Sequence, residues 1–586
     1  MVFLRGISLL RFWVGLVGGL NALGWVLSAF GQLGTVGYAI SLAPMIYGAL
    51  WAAQLPPLSP ALLANRPLFT WGRFRRPLPA LFFLLAIGAL VGGLLYEPNH
   101  GDGLAYRTPR VLNWLSEGRW HWINTSDQRL NTQTLAYEWV TAPALALSAS
   151  DRLLPLISFV SYLFLPGLCF SVLRGMGVRV RVAWGWMWLL PTASGFVLQA
   201  GGILTDLFGS VLALAAFQFA FQARRDQTPS TAKFSLLAIA LTVGTKTSNL
   251  PLLLPWAWAI WPLFPLLRQK PKSWVATGLL AIICSNAPIV VLNLVQGADW
   301  TGVAAETRAR PVIGKGSPTL DLLLPSEDCA GLGWPLMLAV VALLGGAVGD
   351  RCRRQLSQKT PPKPWGQHAL IWSPWVSLLV PVAQSGILSA SRILLPYYPL
   401  LLGGVLSGES TVRWMRTAWW RWGTVAAGLS SAVVMITSPM RPLWPAQTIL
   451  ASVGEPDGVP MQPLRNVYTV YRERAHGFDR LLSKVPANVD RIGMLSQFQF
   501  LEGPLWRPYG QHRVIRPAGD SSPENFRRLQ VEYVVLRVAD VPRLWPAGLV
   551  DWLARGRAEV LAKDATPQFV LEPDPGWILV RLGNGK

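Results

Sequence analysis

The sequence predicts an α-helical polytopic membrane protein that ends in a small α/β domain, and three observations carry that prediction. The 586 residues are 52% hydrophobic and only 14% charged, with 29 tryptophans and a mean hydropathy of +0.35, too apolar for a soluble chain of this size. Apolar runs long enough to cross a bilayer recur as far as residue 438. Beyond residue 440 the runs shorten and turn polar, as those of a water-exposed domain do.

The candidate spans lie near 12–30, 35–54, 79–96, 153–173, 183–200, 203–222, 234–250, 251–267, 274–296, 332–349, 369–387, 393–408 and 422–438, about thirteen in all. Arg5 and Arg11 precede the first, and no small-residue cleavage site follows it, so it is read as a membrane helix. With the N-terminus cytoplasmic, the inside loops hold Arg66, Arg73, Arg75 and Arg76; Arg174, Arg179 and Arg181; Arg224, Arg225 and Lys233; Arg268, Lys270 and Lys272; Arg351, Arg353, Arg354, Lys359 and Lys363; and Arg413, Arg416 and Arg421. Every one of them is basic, as orientation by positive charge requires. The outside then receives residues 97–152, 200–206, 297–331 and 388–392 and everything beyond 439. A transmembrane domain over 1–438, with a large outer loop at 97–152, is therefore followed by an extracytoplasmic α/β domain over 439–586.

The formal net charge is +22, but the basic residues form short clusters between apolar runs and not a polar stripe, which speaks against nucleic acid as a partner. Cys169, Cys284, Cys329 and Cys352 show neither metal-ligand nor paired spacing, so neither a zinc site nor a disulfide framework is expected. Within the outer loop, 103–117 has helical periodicity, with Leu104, Thr108, Val111, Leu112 and Leu115 on one side and Asp102, Tyr106, Arg110 and Asn113 near the other. Such a helix is expected along the outer membrane surface. In the tail, a polar helical stretch 465–484 precedes strands at 491–495, 512–516 and 533–537, helical pieces near 522–530 and 546–555, and a closing hairpin of 568–571 with 577–581.

The most informative stretch is Glu97-Pro-Asn-His-Gly-Asp-Gly-Leu-Ala-Tyr-Arg-Thr-Pro-Arg110, directly after the third span. A carboxylate at a helix mouth, beside a Gly-rich turn and a helix carrying Arg107 and Arg110, can meet both a polar acceptor and an anionic lipid headgroup; Asp102 is either a general base there or the N-cap of the helix that follows. Lys246 is a cation inside an apolar run broken by Thr245–Asn249 and Pro251, and with Arg392 it is suited to clamp a phosphate; the alternative is a lysine that snorkels to the interface. Asp206, at the outer end of the sixth span, is either a second site carboxylate or a helix-terminus acid. His100 and His121 flank the loop as ligands or as ordinary hydrogen-bonded residues, and Trp114, Trp120 and Trp122 read better as interface anchors than as sugar platforms.

Asp102, then Tyr106-Arg-x-Pro-Arg110, Asp127-Gln-Arg and Leu135-Ala-Tyr-Glu-Trp139, resemble in order and spacing the first outer loop of GT-C glycosyltransferases, the polytopic polyprenyl-phosphate-sugar enzymes related to protein O-mannosyltransferases and aminoarabinose transferases. Gly244-Thr-Lys-Thr-Ser-Asn249 looks like that superfamily's Thr-Lys turn, Ser391-Arg-Ile-Leu-Leu-Pro-Tyr-Tyr-Pro399 like its Arg-x-Leu-Leu-Pro-x-x-Pro helix, and Leu501-Glu-Gly-Pro-Leu-Trp506 like a Tyr-Pro-Leu-Trp element of bacterial members.

The resemblance implies an inverting transfer in which Asp102 activates the acceptor and lipid phosphate leaves. Tyr106, Arg107, Arg110, Glu138, Asp206, Lys246 and Arg392 would bind substrate, the Glu138 and Asp127 positions aligning with acids of the family's loop. Members with a paired Asp-Glu carry an acid after the Asp where this chain has Gly103, which leaves divalent-metal dependence and acceptor type open; no cofactor is indicated. The expected partners are a polyprenyl-phosphate sugar donor, a glycan, lipid or protein acceptor, and the bilayer of the plasma (inner) membrane. The rival readings are a transporter or flippase of a lipid-linked sugar, which would show inverted repeats and midplane charges, and a non-catalytic assembly protein.

Overall fold

The computed structural model describes residues 2–53, 71–267, 271–302, 332–333, 340, 343–344, 365–385, 392–453, 461–496, 501–564 and 576–583. Most of the span expected at 332–349 and the whole strand expected at 568–571 lie outside the described residues.

Apolar sequence becomes helix throughout the N-terminal part: α1 (Val2–Ala29), α2 (Thr35–Ala53), α3 (Pro77–Leu95), and, past the outer-loop helices α4 (Thr108–Glu117) and α5 (Ala136–Ser148), α6 (Pro155–Gly175). Several begin on proline, which fits a first turn because its missing N–H would have no partner there. The outer face of α3 leaves Leu84, Ile87 and Leu95 more than half exposed, as a helix face turned to lipid does.

The chain continues through α7 (Val180–Leu189), α8 (Ser194–Gln199), α9 (Thr205–Asp226), α10 (Pro229–Thr245), α11 (Leu253–Ile260), α12 (Pro271–Cys284), α13 (Ala287–Val295), α14 (Trp365–Ser385), α15 (Tyr398–Leu406) and α16 (Ala418–Thr437). Among the described residues five helices are long and apolar enough to cross a membrane, six when α12 and α13, bent by 58°, count as one span.

Several expected spans are therefore interrupted. The run 183–200 divides into α7 and α8 around a 3₁₀ turn holding Pro191, 234–267 divides where Lys246 leaves α10 and Pro251 sits in a second 3₁₀ turn, and 393–408 is broken by a turn over 394–397 that holds Pro396, with Arg392 and Ile393 helical before it and α15 after it. The central helix is α9, which is 94% buried over its apolar window and packs on α6 and α10.

The tail holds helices α17 (Gln462–Glu473), α18 (Pro523–Arg528) and α19 (Gly548–Gly556) and a five-stranded sheet in the order β2-β1-β3-β5-β4. Strand β1 (Arg491–Leu495) pairs in parallel with β2 (Arg513–Ile515) and β3 (Tyr533–Arg537), while β5 (Trp577–Arg581) runs antiparallel to β3 and β4 (Glu559–Asp564). The described hairpin is thus β4–β5. The run Glu559-Val-Leu-Ala-Lys-Asp564 escapes prediction because it is an edge strand with an exposed first half, where a solvated sequence is favoured.

The outer loop and the sheet share one core. Leu104, Trp114 and Trp139 from the loop lie in the same apolar cluster as Leu501, Trp506, Tyr533 and Trp577, while Phe526, Trp552 and Val580 fill the other side of the sheet. The helical segment 103–117 is accordingly covered by the tail as well as by the helices beneath it, with Leu104, Tyr106, Arg107, Arg110 and Val111 all buried. Trp114 is fully buried and stacked on Trp139 at 5.1 Å, neither an interface anchor nor a sugar platform; Trp120 is half-buried against Trp25.

Candidate active site

The segment that leaves α3 is pinned before it reaches Asp102. Tyr96 donates its hydroxyl to the Pro442 carbonyl at 2.6 Å, and Asn99 Nδ2 donates to the Met440 and Tyr471 carbonyls at 2.9 and 3.0 Å. A π-helical turn, Gly103–Arg107, then leads into α4, a widened geometry often found at functional positions. Asp102 makes no side-chain capping bond to this turn. Its Oδ2 instead accepts from Arg392 Nη2 at 3.1 Å, and its side chain stays 26% exposed.

Arg392 is helical and stands before the turn over 394–397, with Pro396 in it, that precedes α15. Its Nε lies 3.3 Å from Asp206 Oδ2 and its Nη1 lies 3.5 Å from His100 Nε2. Asp206, in the first turn of α9 and almost fully buried, also accepts from Lys246 Nζ at 2.8 Å and from Gln199 Nε2 at 3.3 Å. Lys246 therefore points into the protein, 12% exposed and ion-paired. The break that releases it is itself satisfied: Asn249 Nδ2 donates to the Thr242 carbonyl, Thr134 Oγ1 to that of Thr245, and the Tyr397 hydroxyl to that of Ser248.

Behind this network Glu138 accepts from Arg107 Nη1 at 2.8 Å and pairs with Arg110. Arg107 also donates to Thr205 Oγ1 at 3.1 Å, and Arg110, with no exposed surface, donates to the Gln133 and Thr134 carbonyls at 3.0 and 2.6 Å. Arg110 and Glu138 are thus taken up by the scaffold. The Tyr106 ring lies within 5.1 Å of the Arg107 guanidinium and 4.9 Å of that of Arg129, which is paired with Asp127 at 2.6 Å. Four cations, Arg107, Arg110, Lys246 and Arg392, meet three carboxylates, Asp102, Glu138 and Asp206, leaving a positive surplus that suits an anion. Burial favours the protonated form of Asp102, and Arg392, with His100, Arg107 and Lys246, more than reverses that effect, holding its carboxyl well below the usual carboxylate range.

A second polar cluster joins the loop to the tail. Glu502 accepts from Trp506 Nε1 at 2.9 Å and lies 4.0 Å from Arg516. Burial pushes the Glu502 carboxyl up to about 7, against the opposing pull of Arg516 and the Trp506 bond.

All eight of the expected residues, Asp102, Tyr106, Arg107, Arg110, Glu138, Asp206, Lys246 and Arg392, fall in one contiguous region. Sequence reasoning missed Gln199 and Thr205, although the polar break Gln199–Asp206 around Gly201-Gly202 is a signal for both, and it named Arg129 only within the Asp127-Gln-Arg motif, without a role. His121 remains in the loop, 3.3 Å from the Arg119 carbonyl. Among the described residues no three His, Cys, Asp or Glu side chains are grouped to hold a metal ion.

No family model matches the sequence, and neither does any curated protein. Similar solved structures are ArnT from Cupriavidus metallidurans bound to undecaprenyl phosphate (14% identity, covering 88% of this chain and 98% of that one, TM-score 0.48), arabinofuranosyltransferase AftD from Mycobacteria (14%, 86% and 40%, TM-score 0.41) and the oligosaccharyltransferase of Archaeoglobus fulgidus (11%, 80% and 70%, TM-score 0.36). All three are membrane glycosyltransferases of the GT-C superfamily.

Proposed function

We propose that this chain is a GT-C-type membrane glycosyltransferase that moves a sugar from a polyprenyl-phosphate carrier to an acceptor with inversion, with Asp102 as general base. The observation that carries the reading is a part-exposed carboxylate, Asp102, ion-paired with Arg392, which in turn shares the buried counter-ion Asp206 with Lys246. Asp102 takes the proton of an acceptor hydroxyl or amine as that atom attacks the anomeric carbon. The bond from that carbon to the phosphate oxygen breaks, and the leaving phosphate carries the new negative charge.

Arg392 and Lys246 stabilise that charge, Arg392 with a planar fork and Lys246 with a point charge. An incoming phosphate also competes with Asp102 for Arg392, so donor binding makes the carboxylate a stronger base at the moment it is needed. Arg107, Arg110 and Glu138 are positioning residues that hold the helical segment after Asp102. In this reading the catalytic end and the tail face the extracytoplasmic side of the plasma (inner) membrane, the N-terminus is cytoplasmic, and residues 439–586 help bind a glycan, lipid or protein acceptor.

The test is release of polyprenyl phosphate from labelled polyprenyl-phosphate sugar in proteoliposomes. Asp102→Asn, nearly isosteric, should lower turnover by about 10²–10⁴-fold, the usual worth of a general base, with donor binding retained. Unchanged turnover would remove Asp102 from the chemistry, and no turnover in the unmodified chain with any donor would overturn the transferase reading.

A further inference from the structure

The end of the bundle away from Asp102 holds a cavity of about 1040 Å³ that the transfer reaction does not use. It lies between the C-terminal ends of α6 and α9 and the segments around α11 and α14, and its lining includes Arg174, Arg224, Phe221, Trp258, Trp261 and Leu370. Asp206 and Arg224 sit at opposite ends of α9, about 27 Å apart at 1.5 Å per residue, close to the thickness of a bilayer's hydrocarbon core. The cavity therefore opens at the membrane–water boundary opposite the candidate active site.

Its chemistry is two-sided. One wall is apolar and aromatic, with Trp261 67% exposed and stacked on Phe264 at 6.1 Å, the behaviour of rings at the headgroup level of a bilayer. The other wall is cationic. Arg225 has its charge offset by Asp226 at 2.9 Å, whereas among the described residues Arg224 makes no ion pair and the Arg174 side chain is engaged through Nη1 alone, which donates to the Val178 carbonyl at 2.6 Å. Two guanidiniums with donors to spare, set against an aromatic wall in a space as large as a small-molecule pocket, match a phosphate ester attached to apolar chains.

We propose that this cavity seats the headgroup of an anionic phospholipid from the leaflet opposite the candidate active site, with Arg174 and Arg224 on its phosphate and its chains along Phe221 and Leu370. The inference stands apart from the transfer reaction, and its test measures no turnover.

Native mass spectrometry of the detergent-purified full chain, titrated with phosphatidylglycerol, phosphatidylcholine or soluble glycerol phosphate, decides it. The expected result is phosphatidylglycerol binding in preference to phosphatidylcholine, weakened about tenfold or more by Arg174→Gln with Arg224→Gln, since each basic residue at an anionic membrane surface contributes on that scale. Arg224→Gln alone, which removes an exposed side chain without an ion pair, should weaken binding in the same direction and leave the fold intact. Arg421→Gln, which removes a charge at the same end of the bundle outside the cavity, should change nothing. Equal uptake of the two lipids, displacement of the lipid by glycerol phosphate, or equal weakening by Arg421→Gln would each overturn the proposal.

Discussion

At the scale of the residue, the candidate site is a set of charges whose meaning depends on their partners. Asp102 and Arg392 are 290 positions apart, so the sequence marks each as a polar residue in an unfavourable place without saying that they meet. Arg392→Gln removes the strongest of the cations that depress Asp102, so the acid limb of the pH–rate profile should move upward toward the range of an ordinary carboxylate. An unmoved limb would show that the two side chains are not coupled in the working protein. Glu138→Gln leaves Arg107 and Arg110 buried beside a neutral amide, a change expected to cost on the order of 3–5 kcal/mol, read as a lower thermal midpoint and poorer recovery of folded chain. The absent second acid also has a local reason: a Cβ at Gly103 would lie 2.1 Å from Ile203 Cδ1, so a glutamate there requires that side chain to move.

At the scale of the element, periodicity located the helices well wherever the chain crosses in one piece, as in α3, α6 and α9. It failed where prolines and polar runs divide an apolar stretch, because hydropathy averages over a break that hydrogen bonding resolves. The helical segment 103–117 shows a different limit. Its two-sided pattern reads as a surface helix, but the second side is covered by Leu501–Trp506, a contact no local pattern contains. That contact carries a pH dependence through Glu502. Its folded-state pKa is raised, so the folded chain binds the extra proton between the unfolded value and about 7, and the stability it contributes is present at acid pH and lost as pH rises through about 7. The thermal midpoint should therefore fall between pH 5.5 and pH 8, and Glu502→Gln should flatten the change; an unaltered slope in that variant would assign the effect elsewhere.

At the scale of the whole molecule, the boundary at 438–439 reads from composition as a joint between a membrane part and a free-standing domain, yet the sheet and the outer loop are built against each other. Arg507 Nη2 pairs with Asp151 at 2.7 Å, the Tyr509 hydroxyl donates to the same carboxylate at 2.8 Å, and Arg513 donates to the Ser116 carbonyl at 2.8 Å. A chain ended after residue 460 should expose the loop at Arg119 and Arg129 to trypsin while α3, α6 and α9 stay protected in the membrane; equal protection of the loop in the shortened and full chains would show that it folds alone. The shared core also sets an order of events during synthesis. Leu104, Trp114 and Trp139 emerge hundreds of residues before the Trp506 and Trp577 that cover them, so the loop waits beside the bilayer as an unfinished apolar surface while every later span is inserted.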